Sequence, residues 1–423
     1  MFNLSESFST LRPAFVLLVG ILALWLLVAC GNSPAPTIPV VTEIVHEVAA
    51  ASLTPTPLLT PTFTPIPTPT ATPTPAGDTI QPLPLFRHNS QHTGFIPGLA
   101  VTSYSETAWR FTTGAEVHSS PAIVENTVYF GSDDNNIYAL DLLTGAEKWH
   151  FATGDTVFSS PAVVDGIVYI GSDGVYALNA ADGSLIWHFT IPDKPDILFQ
   201  PSPVIVDNHL YIASGLGKLH ALDINTGAEI WQFALRGSST SSPAVAYGLV
   251  YVGDRAGRFY AVNATTGELA WEFRTGSTIY ASPAIANGAV YIGSLDKNFY
   301  VLDALTGTEV WHFTGGAAFV SSAAVVDEVV YVGNLDSYLY ALDALTGDEL
   351  WRFKASKEVY GSPSVVAEVV YVGSDDGNLY AISRADGAEL WHFNTGGFVY
   401  TTPAIAGGLV LFGSYDGQLY ALR

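Results

Sequence analysis

With 423 residues, of which 48% are hydrophobic and 13% charged, the chain carries enough apolar material for a large core. Its 39 Gly, 21 Tyr, 22 Phe and 9 Trp favour β-structure with many tight turns. A formal net charge of −23 repels phosphate backbones and argues against nucleic acid as a partner, while carboxylates spread over turns keep a large β-protein soluble. One cysteine, Cys30, leaves no pair for a disulfide within the chain and no thiolate set for zinc or iron–sulfur.

In chain order, residues 13–29 are apolar throughout and follow Arg12, which makes a charged start and a hydrophobic stretch. Seventeen residues fall short of the ~20 that a membrane-spanning helix needs. Leu27-Val28-Ala29-Cys30-Gly31 resembles a bacterial lipobox. That resemblance implies cleavage before Cys30, its lipidation, and an extracytoplasmic domain held at the membrane. An uncleaved signal anchor would leave the domain on the same side. Residues 30–80 then form a tether, and from Thr54 to Pro75 threonine and proline alternate. Proline fixes φ and removes a donor, so this segment is expected to be an extended spacer reaching ~70 Å at ~3.1 Å per residue. Its threonines are candidates for O-glycosylation.

Residues 81–423 are dominated by a repeat. Trp109, Trp149, Trp187, Trp231, Trp271, Trp311, Trp351 and Trp391 stand 40, 38, 44, 40, 40, 40 and 40 residues apart. Each unit holds four short β-branched and aromatic runs separated by turn residues, as in Ser321–Val326, Val329–Gly333, Tyr338–Asp343 and Glu349–Phe353. Four strands per forty residues predict propeller blades, and eight inner strands, beginning near residues 119, 159, 201, 241, 281, 321, 361 and 401, predict eight. The last unit stops before its Trp-bearing strand, whereas residues 106–111 form such a strand with no blade before it. The reading is therefore an all-β, eight-bladed propeller of four-stranded antiparallel blades, closed by an N-terminal strand that completes the last blade and removes the exposed edge.

The run Ala139-Leu140-Asp141-Leu142-Leu143-Thr144-Gly145-Ala146-Glu147-Lys148-Trp149 recurs at Ala221–Trp231 and Ala341–Trp351. It resembles the docking motif of the quinoprotein (PQQ-like) repeat family, and residues 86–94 resemble the lead-in before such propellers. The resemblance implies that all eight tryptophans pack between blades, each indole N–H meeting a neighbouring backbone carbonyl. Quinoprotein dehydrogenases of that family need a tryptophan floor, a disulfide of adjacent cysteines, calcium ligands and an Asp base. Here there is no second cysteine, and Trp25 lies in the signal segment. No catalytic residue, metal or cofactor is expected. The lipoprotein branch of the family, which serves outer-membrane protein assembly, is similar in anchor, blade number and repeat.

Residues just before the inner strands are expected to ring one channel mouth: His118, Phe158, Gln200, Thr240, Tyr280, Val320, Tyr360 and Tyr400. Aromatic rings with polar tips suit a wet interface with protein or glycan. The 44-residue interval inserts residues 190–199 between blades two and three, and Asp193, Lys194 and Asp196 there are candidate specificity residues on the same face. Ser120, Ser160, Ser202, Ser242, Ser282, Ser322, Ser362 and Thr402 repeat without a companion histidine, so they are read as structural. His150, His188, His312 and His392 alternate with other polar residues on an exposed face, and Asp133-Asp134 and Asp375-Asp376 lie on hairpin turns. The expected function is a monomeric, membrane-anchored binding scaffold of the cell envelope. A role in outer-membrane barrel assembly and a quinone- and calcium-dependent dehydrogenase are the alternatives.

Overall fold

The computed structural model describes residues 83–194 and 197–423. The signal segment, Cys30, the tether and Asp196 lie outside the described residues. These comprise eight antiparallel sheets of four strands and one short 3-10 turn, Phe86–His88. No helix among them is long and apolar enough to cross a membrane. Blade one shows the unit: Ala122–Val124, Thr127–Ser132, Asn136–Asp141 and Glu147–Ala152, ordered from the channel outward. Its middle strands alternate little, because both faces are buried between neighbouring blades. The outer strand alternates exposed and covered residues, as expected for an edge with one wet face.

The eighth blade is made of Ala404–Ala406, Leu409–Ser414 and Gln418–Leu422, and its fourth strand is Thr107–Thr112 from the other end of the domain. Closure extends past that strand. Ser105 and Glu106 pair through the backbone with Arg423, and Tyr104 packs on Trp391 and Phe393.

The inner strands begin three residues later than the sequence suggests, at Ala122 rather than Ser119, and likewise in every other blade. A proline precedes the strand in seven of the eight blades (Pro121, for example) and can donate nothing to the ladder, so pairing starts after it. The displaced residues form a belt. The Ser120 N–H donates to Ser160 Oγ, Ser160 to Ser202, Ser202 to Ser242, Ser242 to Ser282, Ser282 to Ser322 and Ser322 to Ser362. Thr402 closes the circle onto Ser120 at 2.9 Å. Between blades seven and eight, Ser364 Oγ instead donates to the Pro403 carbonyl at 2.6 Å. Seven of the eight hydroxyls thus accept from an N–H of the blade before them, which gives the repeated hydroxyl a structural task.

The lead-in, residues 83–96, occupies the channel beyond this belt. Leu83 exchanges backbone bonds with Ile123 of blade one, and the Val163 N–H donates to the Pro84 carbonyl at 2.7 Å. The Val245, Ile285, Val325 and Val365 N–H groups donate in turn to the carbonyls of Ser90, Gln91, Thr93 and Gly94. Leu85 packs into the cluster around Ile205 of blade three, so one continuous segment touches seven blades in succession. Arg87, 1% exposed, crosses to blades six and seven and donates to the carbonyls of Ala323 and Pro363. Ala323 stands where the other blades have proline.

His92, also in this segment, is 1% exposed, and burial, aided by the nearby Arg87 charge, pushes its pKa from 6.5 down to about 3. A neutral buried histidine contributes stability that is whole above pH 6.5 and is lost as pH falls towards 3. By pH 5 the loss from this ring is about 2 kcal/mol at 1.36 kcal/mol per pH unit. His88 is pushed down to about 3 by burial in the same way, so it titrates alongside His92 over this range. Thermal melts from pH 7 to 5 are expected to show a falling Tm, and His92→Asn to flatten that dependence. Parallel curves would mean the ring does not titrate between the two states.

Candidate functional site

Each propeller indole docks on the next blade in the same way. Trp187 Nε1 donates to the Ile224 carbonyl at 2.8 Å, and Trp109, Trp149, Trp231, Trp271, Trp311 and Trp351 make the equivalent bond to Leu142, Ala180, Ala264, Ala304, Ala344 and Arg384. The indole lies on the glycine of the next turn, Thr-Gly in most blades and Asp-Gly at Gly183 and Gly387. A Cβ on Gly227, at φ +71°, would stand 2.7 Å from Trp187 Cε3. That close approach explains why glycine and tryptophan recur together. Trp391 has no following Thr-Gly turn, and its N–H donates to Val101 instead, a segment just before the closing strand.

Seven blades are stitched a second time by an aspartate after the second strand. In blade one the Tyr138 hydroxyl and the Gly114 N–H both donate to Asp134 Oδ2, at 2.7 Å each. Asp376 takes Tyr380 and the Ser356 N–H likewise, which commits these turn carboxylates to the scaffold. Blade three replaces the pair with His220, held between Ser214 and Glu229. His150, His312 and His392 sit on the outer strands against Glu147, Glu309 and Glu389 at 2.7 Å, while His188 stacks on Tyr176. Among the described residues no group of three or more His, Cys, Asp and Glu is placed to hold a metal ion.

At the mouth on the near side of the belt, four of the eight expected rim residues come together. Tyr360 and Tyr400 stack at 4.4 Å between ring centroids, and His118 and Phe158 meet at 4.6 Å. Tyr415 joins the two pairs, 4.5 Å from Tyr400 and 4.1 Å from His118, because blade eight abuts blade one. The result is an unbroken arc of five rings over blades seven, eight, one and two. Phe398 extends it outward from Tyr400, at 5.7 Å.

Two carboxylates anchor the arc. The Tyr400 hydroxyl donates to Asp375 at 3.0 Å, and the His118 imidazole lies 2.9 Å from Asp133. Burial pushes the Asp375 carboxyl up from its ordinary value, and pushes the Tyr400 hydroxyl up as well, with Asp375 reinforcing the latter. Both aspartates keep one buried oxygen without a partner.

The other rim residues stand apart from this arc. Tyr280 lies under Arg255 at 5.3 Å, Val320 is buried, and the Thr240 hydroxyl is buried without a partner. Gln200 is half-buried. In the insertion, Asp193 and Lys194 are exposed at a tight turn closed by the Ile191–Lys194 bridge. Phe199 turns inward onto Phe189 and His220, so the base of that loop is core. Sequence reasoning passed over Tyr415, and placed Asp133 and Asp375 on turns only. The available signal was the position after Gly-Ser in the second strand, which varies as Asp133, Leu295, Asp375 and Tyr415 while the aspartate after it, except where blade-specific, recurs. A separate hollow of about 410 Å³ lies at the closing seam, lined by Thr107, Trp109, Arg110, Phe393 and Tyr420 among others.

The family profile described as outer membrane protein assembly factor BamB matches residues 100–217, 172–278, 217–336 and 335–423. Outer membrane protein assembly factor BamB of Escherichia coli K12 is 33% identical over 78 residues, 17% of this chain and 20% of that protein. The crystal structure of BamB from Moraxella catarrhalis superposes with a TM-score of 0.65 at 19% identity, covering 75% of this chain and 99% of that one. A europium-containing methanol dehydrogenase superposes equally well, with a TM-score of 0.66 at 17% identity over 80% of this chain and 89% of that one. At those identities the structures speak for the fold alone. The chain spans 14–20% of the length of the curated relatives it matches.

Proposed function

The chain belongs to the family described as outer membrane protein assembly factor BamB, and on that footing we propose that it is a non-catalytic binding scaffold of the cell envelope, held to the membrane through Cys30. The observation that carries the reading is the commitment of all eight propeller tryptophans to docking bonds, which leaves none to floor a cofactor. The lead-in fills the channel beyond the belt, so the mouth offers a surface rather than a deep cofactor pocket. Its aromatic arc is the surface assigned to a protein partner, with a glycan as the competing ligand. The propeller acts as a monomer in this reading, because Thr107–Thr112 fills the open position of blade eight from within the same chain and leaves no missing strand for a second copy to supply. A specific part in outer-membrane barrel assembly is the second reading, favoured by the family profile over the full repeat region.

The test places a photo-cross-linking residue at position 360 in the native membrane and another at position 312 on an outer strand. A discrete adduct from position 360 alone is expected, and identification of its partner as a barrel-assembly component decides for the second reading. Stoichiometric uptake of pyrroloquinoline quinone and calcium, with dye-linked alcohol oxidation, would overturn the scaffold. Loss of membrane retention in Cys30→Ser tests the anchor.

A further inference from the structure

We propose that the aromatic arc is a cation cage, and that its ligand is the guanidinium or ammonium group of an extended basic segment of a partner protein. The inference rests on the mouth being the binding surface and names the chemistry it selects. Three sets of observations converge on it.

The first is the geometry of the rings. Tyr360, Tyr400, Tyr415, His118 and Phe158 follow one another at 4.1–4.6 Å between centroids, with Tyr360 and Tyr400 nearly parallel at 20°. Tyr360 is 36% exposed and the other four are half-buried, so Tyr360, at the end of the arc, presents the most open ring and its neighbours hold it in place. Fixed aromatic faces carry a negative quadrupole that attracts a cation within ~6 Å, and guanidinium planes stack on them.

The second is charge. Asp375 is bonded to Tyr400 and Asp133 lies beside His118, so a carboxylate stands towards each end of the arc. Each is largely covered and each has an oxygen that no group of this chain satisfies. A carboxylate desolvated in this way gains more from an incoming cation than one in free water does. A neutral glycan would use the ring faces but supply no charge to either carboxylate.

The third is that cations of this chain already use the same chemistry around the mouth. Arg255 lies over the Tyr280 ring at 5.3 Å and Lys357 over Phe398 at 6.0 Å. Both flank the arc, and its central members, Tyr400 and Tyr415, have no such cation of their own. A net charge of −23 steers a basic segment towards the domain, and the rings and carboxylates decide where it stops.

The test is calorimetric titration of the full-length protein with hexa-arginine, hexa-glutamate and a chitin oligosaccharide, at salt sufficient to screen long-range charge. One hexa-arginine per propeller is expected, with neither of the other probes binding. Tyr360→Leu, and separately the pair Asp133→Asn and Asp375→Asn, should each weaken hexa-arginine binding at least tenfold. Tyr360→Phe, which keeps the ring, and Glu309→Gln on an outer strand should not. Equal affinity for all variants would reduce the binding to net charge and overturn the cage, as would oligosaccharide binding in place of hexa-arginine. Unchanged melting temperatures in the variants exclude misfolding as the cause. If position 360 still cross-links its partner in the presence of saturating hexa-arginine, the cage is wrong and the scaffold stands. If hexa-arginine binds as expected but no adduct forms, the cage stands and the scaffold reading falls.

Discussion

Deleting residues 104–112 is expected to abolish cooperative folding of the propeller, rather than to loosen one end of it. The lost strand, Thr107–Thr112, is the outer strand of blade eight and pairs with Gln418–Leu422. With it goes Trp109, 8% exposed, whose N–H donates to Leu142 at 2.9 Å and whose ring covers Gly145. A buried tryptophan alone is worth about 3–5 kcal/mol on truncation to alanine. The deletion also removes Tyr104 from Trp391 and the backbone pairing of Ser105 and Glu106 with Arg423. Against a total stability of about 5–15 kcal/mol, these losses together leave little. An open ring would expose the free edge of Gln418–Leu422, which invites pairing with another chain. Urea unfolding followed by circular dichroism should show a collapsed or absent transition, with aggregation. A synthetic peptide spanning residues 100–115 should restore part of it. A deletion variant that unfolds at the same midpoint as the parent would show that closure does not hold the ring.

Trp187→Ala is expected to cost about 3–5 kcal/mol, through the cavity left between blades two and three and the loss of the bond to Ile224. Gly227→Ala should also destabilise, for two separable reasons. Its φ of +71° costs an L-residue about 1–2 kcal/mol, and the new Cβ would stand 2.7 Å from the Trp187 ring, an overpacking worth about 1–3 kcal/mol. The double variant separates the two: once the indole is gone, the alanine clashes with nothing and only the backbone cost remains. Chemical denaturation of all four proteins should therefore show the double variant less destabilised than the sum of the singles, by about 1–3 kcal/mol. Strict additivity would mean that the glycine is required for its backbone angle alone.

Much of the fold was legible because the repeat writes its contacts in side chains. Trp187 and Gly227 recur together since one lies on the other, and the unmatched Trp109 strand announces the blade it completes. The hydroxyl at Ser120 was legible as structural, although its partner, Ser160 of the next blade, was not. The inner strands were placed three residues early because the serine-proline run has the composition of a strand start without its donors.

The mouth was legible in half. His118, Phe158, Tyr360 and Tyr400 share one repeat position and could be listed from spacing alone. Tyr415 and the two aspartates belong to another position of the repeat, the turn after the second strand, which folds over the same mouth: Asp133 meets His118 of its own blade, while Asp375 reaches Tyr400 and Tyr415 reaches His118 across a blade boundary. The insertion between blades two and three divides in the same way: Phe199 turns into the core while Asp193 and Lys194 stay at its exposed turn.

By itself the sequence determined the blade, the number of blades and the strand that closes them, since each depends on residue types recurring at a fixed interval. The tertiary structure decided the filling of the channel and the joining of the arc. The lead-in holds its blades through the carbonyls of Pro84, Ser90, Gln91, Thr93 and Gly94, and a backbone carbonyl is the same in every residue. Tyr415 meets His118 only because the ring closes, and closure brings together residues that are nearly three hundred positions apart in the chain.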